Sequence, residues 1–359
     1  MSTSDHFLDN SSLAELLAVA AESAKMPLQK ALRRASRKAF MWPEEAARIL
    51  QDGRPLTELP AVGPTLSRVM HGWLHNPPDV PVPPKIRSGF LSLPETRSIL
   101  RGEPGWSETV KGDLQTHTRW SDGSGSIEEM ARAAAERGYE FIAITDHSKG
   151  LKIAGGINEE QLGQQAEEIE TVTASLRSHG LDIVVLRSVE LNLDTLGRGD
   201  LDPRSLAGLD IVLGCFHSAL RKKEDQTARY LAALRNPDIQ ILGHPRGRIY
   251  NFRLGLDADW ERVFGMAAEL GKAVEIDGYP DRQDLSIDLL EIARRAGCRI
   301  SLGTDAHDPH QLRFIDYSLA SAVRAGIERD RILNFMDVHQ LRTWVQHVRE
   351  QSARVDGRA

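Results

Sequence analysis

Short apolar runs that alternate with helical segments constrain the fold of this chain most strongly, and they begin after Lys111. A helix start between two runs is readable, because Ser126 and Glu129 form a capping-box pattern. Strands that alternate with helices indicate βα units and a largely parallel sheet. Six or seven such units in about 235 residues favour a closed barrel, so we predict an α/β barrel over residues 111–345. The predicted strands lie near Gly112–Leu114 and at Phe141–Ile144, Ile183–Leu186, Ile211–Leu213, Ile239–Leu242, Ala273–Ile276 and Arg299–Leu302.

The chain before the barrel divides into a helical part and a proline-rich part. Residues 1–76 are expected to be helical, because apolar residues recur there at helical spacing and alanine is frequent. Residues 77–110 are predicted to be a proline-rich linker and a connecting segment with a short helix. The five prolines between positions 76 and 84 exclude a helix or a central strand there. After the barrel, residues 346–359 are polar, and we predict a disordered tail.

Charge and cysteine content narrow the class of protein. The 359-residue chain has a net charge of -6, which argues against nucleic-acid binding over the whole surface but permits a local basic groove. Cys215 and Cys298 lie in apolar stretches, so we predict two buried free thiols in a reducing compartment. No apolar run approaches the roughly 18 residues that span a membrane. The N-terminus also lacks a secretory pattern, and we expect a cytoplasmic protein without membrane contact.

Acids and imidazoles follow most of the predicted strands. A single histidine after a strand is more often a structural residue than a metal ligand, but five of the chain's 12 histidines lie at such positions. The carboxyl ends of parallel barrel strands converge on one face. Neutral imidazole suits zinc, iron and manganese, and carboxylates can bridge two cations. The sequence therefore predicts a multi-metal site at this face, built from His117, Asp122, His147, Glu190, His217, His244, Asp305 and His307, with Gln115 at the end of the first strand.

Together these segments resemble the PHP (polymerase and histidinol phosphatase) family, and within it the PHP domain of bacterial family X DNA polymerases. The resemblance covers nearly all of residues 111–325. It implies a distorted (β/α)7 barrel as the fold. The motifs that carry it are Asp113–His117, Ser121–Gly123, Ile144–Ser148, Glu190, His217–Ser218, Gly243–Pro245, Glu275–Arg282 and Gly303–His307.

The N-terminal part is similar to the helix-hairpin-helix segment of the same polymerases. Leu59–Gly63 would occupy the hairpin, although Ala61 stands where such hairpins usually carry glycine. Residues 76–110 are too few to build a polymerase palm with its own catalytic aspartates. The chain thus resembles a polymerase reduced to its end-binding and phosphoesterase parts.

The resemblance implies a trinuclear site that holds two or three divalent ions: Zn²⁺, Mn²⁺ or Fe²⁺. Gln115 departs from the histidine of most of the family, so the first of the three sites is expected to bind its ion more weakly. The implied ligand sets are His117, Glu190 and Asp305 with Gln115 nearby; Glu190, His217 and His244 with Glu190 bridging; and Asp122, His147 and His307.

A hydrolysis mechanism follows as a hypothesis. A hydroxide that bridges two metals would attack the phosphorus of a phosphate ester while the metals offset charge on its oxygens. Glu190, Asp305 and Arg282 are the predicted catalytic residues. Arg248 and Arg282 are candidates to hold phosphate oxygens, because guanidinium matches phosphate with two hydrogen bonds, although either arginine could instead form a surface salt bridge.

DNA 3′ ends are the substrate that the resemblance implies, through 3′–5′ exonuclease or 3′-phosphatase activity. A basic run in the helical part would contact the DNA backbone, with the hairpin after Leu59. The predicted contacts are Arg33, Arg34, Arg37, Lys38 and Gly63. Two alternatives stay open. The first is a small-molecule phosphomonoesterase of the histidinol phosphatase type, with the helical part as a lid or oligomerisation element. The second is a non-catalytic adaptor that binds DNA ends.

Overall fold

The alternating runs form seven parallel strands, which lie in chain order in one nearly closed sheet. The computed structural model describes residues 8–355. Helices surround the sheet, so the predicted α/β barrel is confirmed. The strands are β1 (Gly112–Thr116), β2 (Phe141–Ile144), β3 (Val184–Asn192), β4 (Ile211–Cys215), β5 (Ile241–Leu242), β6 (Ala273–Asp277) and β7 (Arg299–Gly303).

Strand β3 runs further than its apolar run indicated. The prediction ended this strand at Leu186, but its pairing with β4 continues to Asn192, and Glu190 lies opposite Leu213 inside the ladder. Backbone hydrogen bonds do not depend on side-chain polarity, so a polar segment can extend a strand when its neighbour offers the partners. Glu190 therefore projects from a strand rather than from the loop after it.

A seam between β1 and β7 closes the barrel. At the upper end Asp305 donates its backbone N–H to the Gln115 carbonyl at 3.1 Å. Lower down, the buried side chain of Asn334 bridges the two strands. Its amide donates to the carbonyls of Gly112 and Leu302, each at 2.8 Å, and accepts from the Leu302 N–H at 2.7 Å. Gly112, Leu302 and Gln115 thus have backbone hydrogen-bond partners across the seam although β1 and β7 form no regular ladder.

Thirteen α-helices lie among the described residues 8–355. Several begin as the sequence indicated: Ser126 and Glu129 form both hydrogen bonds of a capping box at the start of α6. The helices are α1 (Asn10–Ser23), α2 (Leu28–Ala39), α3 (Ala46–Gln51), α4 (Pro64–His75), α5 (Leu93–Gly102), α6 (Ile127–Glu136), α7 (Glu159–Ser178), α8 (Pro203–Ala207), α9 (Thr227–Arg235), α10 (Trp260–Glu269), α11 (Ile287–Ala296), α12 (Ile315–Arg324) and α13 (Val338–Val355).

The prediction of a disordered tail over residues 346–359 is wrong up to Val355. Helix α13 continues through this segment, and its Leu341, Val345 and Val348 pack among apolar residues of the barrel strands. These side chains recur at helical spacing within a polar sequence, which is the pattern of a helix with one buried face. Residues 356–359 lie outside the described part of the chain.

The helical N-terminal part packs firmly on the barrel. Its apolar core includes Tyr250 from a barrel loop, and the Tyr250 hydroxyl lies 2.9 Å from Ser36 Oγ on α2. Arg87 adds a two-pronged ion pair with Glu15 of α1, with N–O distances of 2.8 and 2.9 Å and both side chains nearly buried. Core packing around Tyr250 fixes α2 on the barrel, and the nearly buried ion pair fixes α1 on the connecting segment.

Cys215 and Cys298 are buried and unpaired, as predicted. Within residues 8–355, no helix has the length and apolar character needed to cross a membrane.

Candidate metal centre

Each of the nine predicted ligands lies at or beyond the carboxyl end of a barrel strand. Strand β1 and the loop after it carry Gln115, His117 and Asp122. The loop after β2 carries His147, and β3 itself carries Glu190. The loops after β4, β5 and β7 supply the remaining residues, which are His217, His244, Asp305 and His307.

The fully buried carboxylate of Glu190 is the centre of this cluster. The Nε2 atoms of His217 and His244 each lie 2.7 Å from Glu190 Oε1. Its other oxygen, Oε2, lies 3.2 Å from His117 Nε2 and 3.3 Å from His147 Nδ1. One carboxylate thus faces four imidazoles, an arrangement suited to bridging cations.

Two further carboxylates complete the ring. Asp305 Oδ1 lies 3.1 Å from His117 Nε2, while Asp122 Oδ1 lies 3.2 Å from His307 Nε2 and 3.6 Å from His147 Nε2. Four groups of donor atoms lie close enough together to hold an ion. They are His117 with Glu190 and Asp305; His117 with Asp122, His147 and His307; His147 with Glu190 and His217; and Glu190 with Cys215 and His244.

Two of the three implied ligand sets occur among these groups. The second implied set, Glu190 with His217 and His244, is divided between two groups. His217 groups with His147 and Glu190, whereas His244 groups with Glu190 and the thiol of Cys215. The sequence assigned Cys215 only as a buried thiol. Cys215 is the last residue of β4, so it lies at the carboxyl end of the strand where the other candidate ligands gather, and this position is the signal that could have indicated its place.

Charges in the cluster shift the pKa values of its members in opposite directions. Burial lowers the pKa of His147 to about 3, which leaves a neutral imidazole. Burial alone would raise the pKa of Glu190, but the surrounding imidazoles hold it well below its ordinary value. For Asp305, burial is likewise outweighed by the Arg282 guanidinium, and its pKa is lowered. Burial alone would lower the pKa values of His117 and His244, but the neighbouring carboxylates raise both above the ordinary histidine value. Divalent metals require neutral imidazoles and ionised carboxylates, so metal binding would displace protons from these two rings.

Unsatisfied polar atoms show that these residues fit metal ions. Buried side-chain atoms without a hydrogen-bond partner concentrate in the cluster, and leaving such atoms unpaired is costly. A cation would satisfy them with the donor types that zinc, manganese and iron accept. The atoms in the cluster with neither a hydrogen bond nor an ionic contact are Gln115 Oε1, His117 Nδ1 and His244 Nδ1.

Several residues that the sequence analysis did not single out position the candidate ligands. Asn192 Oδ1 lies 3.1 Å from His217 Nδ1 and orients that ring. The carboxylate of Asp146 accepts from the Thr118 N–H at 2.8 Å and so fixes the loop that carries Asp122. Partners of this kind set the orientation of a metal ligand. Asn192 could have been found from its place two residues after Glu190, on the same face of β3.

Two of the candidate ligands sit in strained backbone. His244 and Asp305 have positive φ angles of 23° and 53°, which non-glycine residues rarely adopt. Such strain persists only where surrounding contacts over-determine it. For His244 one such contact is the buried carboxylate of Glu275, which accepts its backbone N–H at 2.6 Å.

The two predicted phosphate-binding arginines have different surroundings. Arg282 is 29% exposed, and its Nη2 lies 3.2 Å from Asp305 Oδ2, so it borders the cluster. Arg248 is buried instead. It donates to the carbonyls of Arg282 and Gly89, and its guanidinium lies 3.8 Å from the centre of the Phe90 ring. These contacts join the connecting segment to the barrel, and phosphate binding by Arg248 stays a sequence prediction.

A cleft of about 1010 Å³ leads to the cluster, and the basic run lines one wall of it. Helix α2 buries Leu32 and Ala35 against its neighbours, which turns the charged side of the helix outward. The cleft is lined by Arg33, Arg34, Arg37 and Lys38 of α2, and also by Arg282 and His307. Gly63 caps α4 outside this cleft and stays a sequence prediction.

Comparison with known proteins gives matches over the barrel. A family model described as PHP domain matches residues 113–300. The DNA polymerase/3′-5′ exonuclease PolX of Bacillus subtilis (strain 168) is 35% identical over 255 residues, which cover 70% of this chain and 44% of that protein. This chain therefore spans less than half the length of that relative.

A probable phosphatase of Thermoanaerobacter sp. (strain X514) is 30% identical over 260 residues, covering 68% of this chain and 97% of that protein. Among solved structures, a histidinol phosphate phosphatase from Lactococcus lactis subsp. lactis, in complex with zinc, L-histidinol and phosphate, has 18% identity and a TM-score of 0.42. It covers 58% of this chain and 93% of that chain. A metal-dependent hydrolase of phosphoric ester bonds is thus the enzyme class of this chain, which belongs to the PHP domain family.

Proposed function

We propose that this enzyme hydrolyses phosphate esters at DNA 3′ ends, as a 3′–5′ exonuclease or a 3′-phosphatase. The observation that carries the proposal is the composition of one cleft. Exposed arginines of α2 line it together with Arg282 and His307, next to the candidate metal centre. A polyanion that follows this basic wall would deliver its end to the cluster, and such contacts supply most sequence-independent binding to nucleic acid.

The α2 arginines are available for a polyanion. No side-chain ionic partner is present for Arg33 or Arg34 among residues 8–353, and both side chains are exposed. Arg37 pairs with Asp281, with Nε 2.6 Å from the carboxylate, and this pair connects α2 to the loop that carries Arg282. The chain as a whole has a net charge of -6, so the basic wall of the cleft is a local feature of the surface.

We assign the nine clustered residues to metal binding, with Glu190 shared between ions. When bound, divalent metals lower the pKa of water and offset charge on the oxygens of a phosphate ester. Two or three ions are proposed, as Zn²⁺, Mn²⁺ or Fe²⁺.

Arg282 holds the phosphate in this proposal. Asp305 at 3.2 Å and Asp277 at 3.9 Å fix its guanidinium at the edge of the cluster, while part of it remains exposed to the cleft. From there it can donate two hydrogen bonds to a non-bridging phosphate oxygen and its neighbour. Asp305 therefore has two tasks, which are to meet His117 in the cluster and to orient Arg282.

The relatives support two related substrates. The printed name of the Bacillus subtilis relative includes a 3′-5′ exonuclease, which favours nucleic acid, but this chain covers only 44% of that protein. The Thermoanaerobacter relative is called a probable phosphatase and is matched over 97% of its length. A small-molecule phosphomonoesterase is therefore the second candidate function.

Initial rates on three substrates separate these functions: single-stranded DNA, a 3′-phosphorylated oligonucleotide and histidinol phosphate, each with added Mn²⁺ or Zn²⁺. The informative variant is Arg33→Gln with Arg34→Gln. Its KM for oligonucleotides should rise, and the dependence of KM on salt should become shallower by about two phosphate contacts. An Asp305→Ala and His307→Ala variant should be inactive on all substrates.

A matched control is Arg294→Gln with Arg295→Gln, since this exposed pair on α11 lies outside the cleft. It should behave as the wild type. The proposal for DNA would be wrong if both double variants had the same salt dependence as the wild type. Fast turnover of histidinol phosphate with none of either oligonucleotide would establish the second candidate.

A further inference from the structure

Phe252 is an aromatic side chain held out into solvent beside the cleft. It is 58% exposed, and it is the one aromatic residue among the large exposed apolar side chains of the described chain. A tight turn after β5 presents it. Ile249 and Arg253 pair across this turn, and the Phe252 N–H donates to the Ile249 carbonyl at 3.1 Å. The neighbouring Tyr250 is anchored in the helical core, so the turn has a fixed position.

Arg221 lies against the Phe252 ring, with its guanidinium carbon 4.6 Å from the ring centre. The two residues come from different loops. The loop of Arg221 also carries the candidate ligand His217, and the loop of Phe252 carries His244. Arg221 is followed by two exposed lysines, so a second basic segment flanks the ring. The arginine and the ring form one composite surface, which we call the platform.

Phe252 places one side of the platform in the cleft that leads to the metal centre, and Arg221 contacts the ring from outside the cleft lining. Phe252 lines the same cleft as Arg33, Arg34, Arg282 and His307. Isolated exposed apolar side chains are common on proteins and need no explanation by themselves. Ile153 and Leu196 are such cases, since they are exposed but do not line this cleft. Phe252 differs from them because it combines an aromatic face, a stacked guanidinium and a basic cleft that ends at a hydrolytic site.

We propose that Phe252 and Arg221 stack against a base at the 3′ end of single-stranded DNA while the α2 arginines hold its backbone. This inference rests on the proposed function and specifies its substrate. Aromatic faces and arginine planes bind unpaired bases without regard to sequence. A base within a duplex is already stacked on its neighbours, so the platform selects ends whose last nucleotides are unpaired. It also distinguishes an oligonucleotide from a small phosphate ester, which has no base to place on the ring.

The test compares Phe252→Ala with Phe252→Trp and with the control Leu254→Ala. Leu254 is an exposed apolar residue of the same loop that does not line the cleft. For a single-stranded oligonucleotide, Phe252→Ala should raise KM by about 5- to 150-fold, the loss expected for one stacked base, with little change in kcat. Phe252→Trp should restore KM, and Leu254→Ala should match the wild type. An oligonucleotide with abasic 3′-terminal positions should give equal KM values for Phe252→Ala and wild type.

A binding measurement provides a readout apart from turnover. An oligonucleotide with a 3′-terminal 2-aminopurine and phosphorothioate linkages should lose fluorescence when it binds wild type or Phe252→Trp, but not when it binds Phe252→Ala. The platform is excluded if Phe252→Ala keeps both the wild-type KM and the wild-type quenching while Arg33→Gln with Arg34→Gln weakens binding. In that case DNA remains the substrate. If neither the wild type nor any variant binds oligonucleotides, the proposal of a DNA substrate and the proposal of the platform both fail.

Discussion

Replacing Asn334 by alanine should open the seam between β1 and β7. The buried amide of Asn334 makes three hydrogen bonds, to the carbonyls of Gly112 and Leu302 and from the Leu302 N–H. Alanine would leave these three backbone groups without a partner in the interior, and each such group costs about 1–3 kcal/mol. Because water can enter the space left by the side chain, we expect a total loss of about 3–6 kcal/mol.

The seam also positions the metal centre, since β1 leads to His117 and β7 leads to Asp305. The Asn334→Ala variant should therefore lose stability and bind Mn²⁺ or Zn²⁺ more weakly. Urea unfolding followed by tryptophan fluorescence measures the first effect. Competition with a chromophoric chelator measures the second.

Asn10→Ala is the matched control for this experiment. Asn10 is also fully buried, and its amide donates to the Glu44 carbonyl and accepts from the Ala46 N–H, each at 2.9 Å. It lies in the helical part, so its loss should reduce stability without changing metal affinity. A change of less than about 1 kcal/mol in Asn334→Ala would refute the reasoning, because buried backbone groups cannot be left unpaired so cheaply.

Three further outcomes are expected. Burial lowers the pKa of Lys272 from 10.5 to about 7, so the unfolded chain binds more protons between these values and wild-type stability rises with pH across that window. Lys272→Met removes this dependence. In urea unfolding, the free energy of unfolding of the variant minus that of the wild type should therefore fall by about 3 kcal/mol from pH 7 to pH 10. A difference that does not change with pH would contradict this. Ala61 has a left-handed φ of 68°, so Ala61→Gly should raise the free energy of unfolding by about 0.5–1 kcal/mol, whereas a destabilised variant would show that other contacts at this turn matter more. Chelation of bound metal should lower the thermal midpoint, and excess Mn²⁺ or Zn²⁺ should restore it, with about 4 kcal/mol expected at a thousandfold excess over Kd; an unchanged midpoint in protein shown to be metal-free would exclude coupling between the cluster and folding.

The sequence by itself determined the barrel and the membership of the polar cluster. Apolar runs mark strands because a parallel sheet is buried on both faces, and parallel strands deliver their carboxyl ends to one side. From this rule alone His117, Glu190, His217 and Asp305 could be placed together. The structure has them within hydrogen-bonding distance of Glu190 or of each other.

Tertiary structure decided the features that depend on contacts between distant segments. Arg248 lies in a segment whose sequence suits phosphate binding, yet its side chain is buried against Phe90. It also donates to the carbonyl of Gly89, which lies 159 positions earlier in the chain. Asn334 links β1 to β7, and nothing in the sequence around Asn334 indicates this role. Helix α2 lines the cleft because contacts between distant segments, such as Tyr250 with Ser36 and Arg37 with Asp281, join the two parts of the molecule. Local periodicity encodes elements and their faces, whereas the partner of each face is set by packing across the whole chain, which no local pattern records.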